Sequence, residues 1–191
     1  MPSSLTRHAA NAVTALRLAL TPVFVLAVLR GKDGHSGWPA AVVFAAVALS
    51  DFVDGRIARR LGADSRGGRV LDHAADITFI LTALALYVGL GLAPWWVPAA
   101  IAASFAIYVI DSLRRGGATP SLIGSRIGHL GGVANYVLIG VLVGNDTVGL
   151  HWLPPFLMHT LFALVPIYSG ASIVTRVRRP LALGGERPVS G

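Results

Sequence analysis

Four aspartates stand in the apolar company least suited to them. Asp51 and Asp54 fall in Ser50-Asp51-Phe52-Val53-Asp54-Gly55-Arg56-Ile57-Ala58-Arg59-Arg60, and Asp72 and Asp76 in Gly68-Arg69-Val70-Leu71-Asp72-His73-Ala74-Ala75-Asp76. An ionised Asp at the centre of a membrane-inserted helix costs about 2.5–3.5 kcal/mol, so four of them need compensation. Spacings of three and four residues put each pair on one helix face, with Cβ atoms roughly 5–6 Å apart. A short connection between the two segments makes them antiparallel neighbours and gathers the carboxylates into one cluster. Such a cluster repels itself and suits divalent cations. Its donors are all oxygens, the chain has no cysteine, and no two histidines stand at metal spacing, which favours Mg²⁺ or Mn²⁺ over Zn²⁺. Spacing alone leaves one ion or two open.

Gly55, Ala58 and Gly68 punctuate the same stretch. Small residues let membrane helices pack closely; beside a metal cluster they also leave room for a nucleotide to approach the backbone. Of the cations Arg56, Arg59, Arg60, Arg66 and Arg69, Arg60 and Arg66 read as interfacial anchors and Arg59 as a ligand contact.

The elements that must carry these residues are membrane helices. The chain has 191 residues, 54% of them hydrophobic and 13% charged, with a mean hydropathy of +0.66, too apolar for a single water-soluble core. A spanning helix needs about 20 mostly apolar residues, and six stretches qualify: 11–29, 38–60, 69–91, 94–113, 127–143 and 154–176. The expected fold is an all-α bundle of six transmembrane helices in one domain, residues 1–179, with a disordered tail over 180–191. The first run is long, contains Arg17 and leads to no small-residue cleavage site, so it reads as a retained span rather than a signal peptide.

Basic residues cluster before the first span, in the second and fourth connections and after the sixth, whereas the third and fifth connections hold none and only Arg30 and Lys32 fall on the opposite side. The positive-inside rule then places both termini and the aspartate cluster on the cytoplasmic side. Trp38, Trp95, Trp96 and Trp152 fall at span ends on the outer side, as an aromatic belt does. The high pI comes from charge at span ends rather than from a soluble basic face, which points to lipid phosphates and away from nucleic acid. Asp111 is placed to pair with Arg114 or Arg115.

The order Asp51-x2-Asp54-Gly55-x2-Ala58-Arg59-x8-Gly68-x3-Asp72-x3-Asp76 resembles the signature of the CDP-alcohol phosphotransferases, with all eight fixed positions filled. The resemblance extends to the six-span layout, and the opening Asn11-x2-Thr14-x2-Arg17-x4-Pro22 is similar to the start of phosphatidylglycerophosphate synthases within that family. It implies that Asp51, Asp54, Asp72 and Asp76 hold the metal, that Asp76 is also the candidate base, and that Gly55, Ala58, Arg59 and Gly68 shape a CDP site. It further implies a cytoplasm-facing pocket, a homodimer, a CDP-activated lipid donor such as CDP-diacylglycerol, and a polar alcohol acceptor with release of CMP.

Glycerol 3-phosphate is the first acceptor by resemblance, with inositol phosphate, phosphatidylglycerol and other alcohols open. Where many phosphatidylglycerophosphate synthases have Pro after the third aspartate and Lys after the fourth, this chain has His73 and Ile77. A later Ser-x2-Gly-Lys element becomes Ser125-Arg126-Ile127-Gly128-His129, which keeps a cation at Arg126 for an acceptor phosphate but loses the lysine. The rival from another class is a divalent-cation carrier, since aspartates in a membrane also mark ion pathways. A carrier needs charge along a through-path, and Val42 to Leu49 and Phe79 to Tyr87 contain no ionisable group except the terminal tyrosine.

Overall fold

The computed structural model describes residues 4–61, 66–115 and 126–177, with side-chain surroundings for 14–50, 73–111 and 130–175. The described chain is all-helical: α1 (Ser4–Lys32), α2 (Trp38–Leu61), α3 (Arg66–Gly89), α4 (Trp96–Arg115), α5 (Arg126–Leu142) and α6 (Pro155–Val177), with one π-helical turn, Val143–Thr147, continuing α5. Each helix falls on one of the apolar stretches, although α3 ends two residues short of its stretch and α4 begins two residues into its own. α1 starts ahead of its stretch because hydropathy marks the apolar segment rather than the helix end, and Leu5, Ala9 and Ala10 are strong helix formers. The stretches Thr14–Lys32 of α1 and Pro155–Thr175 of α6 are long and apolar enough to cross a membrane, and shorter apolar runs occupy Trp38–Ser50, His73–Gly89 and Trp96–Asp111. The tail over 180–191 lies outside the described residues.

α1 organises the bundle. It packs against both α2 and α3. The α2–α3 contact expected from their short connection falls on residues 51–72, whose side-chain surroundings lie outside the described residues. From Thr14 onwards, the buried residues of α1 are Thr14, Arg17, Thr21, Phe24 and Val28, a 3-4-3-4 spacing that forms one continuous seam. The seam is polar for its first half and apolar for its second. Thr21 returns its hydroxyl to the Arg17 carbonyl at 2.9 Å, just before Pro22, which contributes no backbone donor of its own.

The apolar half of the seam enters a core built with α3 and α5. Phe24 meets Phe79 with ring centroids 5.3 Å apart, and Ala83, Leu84, Tyr87, Leu138, Ile139 and Leu142 are buried with them.

One end of the bundle is tightly closed. The Tyr87 and Thr147 hydroxyls share a 2.7 Å hydrogen bond, and Lys32 Nζ donates to the Asp146 carbonyl at 2.5 Å. A Cβ on Gly37 would sit 1.9 Å from the Thr147 carbonyl oxygen, so this approach of the α1–α2 turn to the π turn requires glycine. The C-terminal ends of α1, α3 and α5 therefore meet here, and these three helices run the same way. Of the four tryptophans expected to form a belt, Trp38, Trp95 and Trp152 are strongly exposed in the segments that bound this end, whereas Trp96 packs partly buried against the core.

Candidate active site

Asp76 lies on the face of α3 shared with Phe79, Ala83 and Tyr87, at spacings of three, four and four. That face meets α1 and α5. Arg17, fully buried on the α1 seam, forms an ion pair through Nη1 with Asp76 Oδ1. The Tyr136 hydroxyl, from α5, donates to the same oxygen at 3.1 Å. Three helices thus converge on one carboxylate oxygen.

The surroundings explain why the pair forms. Removing a guanidinium from water costs several kcal/mol unless it is matched by an opposite charge, and Asp76 supplies that charge to Arg17. Asp76 itself keeps 22% of its side-chain exposure, so the carboxylate is held from the protein side and still reaches open space. Beneath it the packing is aromatic. The Tyr136 ring stacks on Phe79 at 6.0 Å and 16° and is flanked by Phe44 of α2 at 6.4 Å and 40°. A Cβ on Gly140 would lie 3.0 Å from the Phe44 ring, so Gly140, one turn beyond Tyr136 on α5, is what lets Phe44 sit close. The tyrosine is bracketed by two rings, and its hydroxyl is aimed by packing.

The other expected site residues are placed by their helices alone. Asp51, Asp54, Gly55, Ala58 and Arg59 lie in the second half of α2, Gly68 and Asp72 in the first turns of α3, and Arg126 opens α5; their side chains lie outside the described residues. Asp72 stands one turn before Asp76 and so shares its face. Asp51 is 13 residues into α2, about 20 Å from the closed end at 1.5 Å per residue. Asp76 precedes Tyr87 by 11 residues, about 16 Å by the same rise. The two aspartate segments therefore occupy similar depths, far from the closed end.

Among the described residues no three His, Asp or Glu side chains gather as metal ligands; of the four aspartates only Asp76 falls within that set. The donor set fits a hard divalent ion nonetheless: all four groups are carboxylates at single-face spacing, and the one described keeps a solvent-accessible edge. His73 is exposed, with its ring 5.9 Å from Tyr108 of α4. Asp111 ends the described part of α4 half-buried. A groove of about 470 Å³ between α1 and α2 is lined by Val23, Leu26, Pro39 and Val43 with Arg30 and His35; it opens towards the closed end and does not house this site.

Sequence reasoning gave Tyr136 no role and placed Arg17 only within a motif. The available signal was polarity in mid-span, since a buried Arg and a phenol in apolar helices each require a partner. A second polar seam follows the same logic: Tyr168 of α6 donates to the buried Asn135, next to Tyr136.

A Mycobacterium tuberculosis protein provisionally named a cardiolipin synthase is 34% identical over 162 residues, 80% of this chain and 69% of its own length. Another from the same organism, provisionally named a phosphatidylglycerophosphate synthase, is 33% identical over 183 residues, 93% of this chain and 84% of its own. The cardiolipin synthase (CMP-forming) of Streptomyces coelicolor is 34% identical over 134 residues, 68% of this chain and 60% of its own. The sequence profile of the CDP-alcohol phosphatidyltransferases matches residues 7–170, which span both aspartate segments, Arg17 and Tyr136, and the chain belongs to that family.

Proposed function

We propose that the protein transfers a phosphatidyl group from CDP-diacylglycerol to glycerol 3-phosphate and releases CMP. The observation that carries this reading is Asp76, a carboxylate held by Arg17 and Tyr136 yet open to one side, inside a match to the family that covers most of the chain. In the reaction the acceptor hydroxyl gives its proton to the Asp76 carboxylate as its oxygen attacks the phosphorus next to the diacylglycerol. The new P–O bond forms as the bond to CMP breaks, and CMP leaves with the electron pair.

Asp51, Asp54, Asp72 and Asp76 would hold Mg²⁺ or Mn²⁺, which when bound offsets charge on the donor diphosphate. Gly55, Ala58, Arg59 and Gly68 line the approach of the CDP moiety, and Arg126 meets the acceptor phosphate. The six helices form a multi-pass membrane bundle with this site on the cytoplasmic side, where the donor's acyl chains remain in lipid while its head group enters the site. The active form is a homodimer.

Glycerol 3-phosphate is the first acceptor because the phosphatidylglycerophosphate synthase relative spans 93% of the chain. Phosphatidylglycerol is the second, favoured by the cardiolipin synthases at 34% identity over shorter spans. The test is CMP release by protein purified in detergent, from CDP-diacylglycerol with Mg²⁺ or Mn²⁺ and a panel of acceptors. Release that needs metal, one acceptor and an intact Asp76 supports the reading and names the product. A folded, metal-binding protein that releases no CMP with any acceptor overturns it and favours the cation carrier.

A further inference from the structure

We propose that Arg17 and Tyr136 are positioning residues for the transfer, fixing the Asp76 carboxylate in one orientation towards the acceptor hydroxyl. The inference rests on Asp76 being the proton acceptor of the reaction above. Neither residue belongs to the aspartate signature, and neither lies on α2 or α3, which carry it. α1 and α5 reach across to the signature from outside.

Three observations carry the assignment. Both contacts fall on a single oxygen, Oδ1, from donors on two different helices. A carboxylate gripped at one oxygen from two directions loses its freedom to rotate about its last side-chain bond, which is the freedom that would misdirect a proton transfer.

The donors are themselves fixed. Arg17 is fully buried, and the Tyr136 ring is bracketed by Phe79 and Phe44, so the hydroxyl's direction is set by aromatic packing that a phenylalanine would reproduce without it. The arrangement also goes beyond charge neutralisation. Arg17 answers the charge of Asp76; the additional phenol makes the arrangement directional.

Tyr136→Phe is the informative variant because it removes one oxygen and keeps both ring contacts. It should lower kcat about 10- to 100-fold, leave KM for donor and acceptor within about 2-fold, and leave the melting temperature in detergent close to that of the parent. Arg17→Lys, which keeps the charge but not the planar fork, should retain more activity than Arg17→Gln.

In an Asp76→Glu background, where the carboxylate is already displaced, Tyr136→Phe should cost less than about 2-fold further. A Tyr136→Phe enzyme with unchanged kcat, alongside an inactive Asp76→Asn, overturns the positioning role and spares the reading of Asp76. An active Asp76→Asn overturns the underlying reading instead. A loss that follows thermal stability and persists undiminished in the Asp76→Glu background means Tyr136 supports the fold only, and also overturns the proposal.

Discussion

At the scale of single residues, the site is governed by the cost of charge in apolar surroundings. Arg17 is fully buried and Asp76 partly exposed, and removing one member of such a pair takes a charged partner from the other, at up to about 3 kcal/mol. Arg17→Gln should therefore melt below the parent in detergent, and Asp76→Asn, which removes the charge facing the guanidinium, should do the same; differential scanning fluorimetry checks both. The metal makes a separate prediction. An ion that binds only the folded protein stabilises it by about 2.7 kcal/mol at 100 times its dissociation constant. Mg²⁺ or Mn²⁺ should raise the melting temperature, EDTA should reverse the rise, and Asp54→Asn or Asp72→Asn should abolish it. A melting temperature indifferent to both ions would count against the four-carboxylate site.

At the scale of elements, α1 decides the arrangement. Its 3-4-3-4 seam is polar from Thr14 to Thr21 and apolar at Phe24 and Val28, so one helix serves the site with its first half and the core with its second. The closed end is built from close approach rather than from bulk. Gly37→Ala would place a Cβ 1.9 Å from the Thr147 carbonyl oxygen, and backbone on both sides has to shift, at about 1–3 kcal/mol. Tyr87→Phe would leave the buried Thr147 hydroxyl without its 2.7 Å partner, at about 1 kcal/mol or somewhat more. Tyr87 is about 16 Å along α3 from Asp76, so both variants should lose thermal stability and keep kcat per folded molecule. Gly140→Ala is expected to differ. It presses on the Phe44 ring beside Tyr136, so its cost should appear in kcat as well as in stability.

At the scale of the whole molecule, large apolar side chains remain on the outside. Trp95 is 71% exposed, and Phe156, Ile167 and Val42 are comparably open. In a water-soluble monomer, so much apolar exposure on long helices signals a missing apolar surrounding, and a bilayer supplies it. The absence of cysteine gives a clean background for testing orientation. Ser36→Cys, in the exposed α1–α2 turn, should react in intact cells with a membrane-impermeant maleimide. Ser65→Cys, in the arginine-rich connection beside the aspartates, should react only after permeabilisation. The reverse pattern would place the chemistry on the outer face and remove the basis for a cytoplasmic site.

The sequence by itself determined the six helices and singled out the aspartates, because both are local facts. A run of about 20 apolar residues is a helix wherever lipid surrounds it, and a carboxylate within such a run is anomalous without reference to any neighbour. It also carried the family, since the signature's spacings are set by helix periodicity along two adjacent segments.

Only the tertiary structure decided what touches Asp76. Tyr136 lies 60 residues beyond it, and a phenol at mid-span passes for one more apolar ring until the helix opposite is known. Arg17 read as a motif residue in the first span; that it is buried against α3 follows from α1 packing against both α2 and α3. Such contacts depend on how helices pack sideways, and periodicity along one chain specifies a face but not which helix that face will meet.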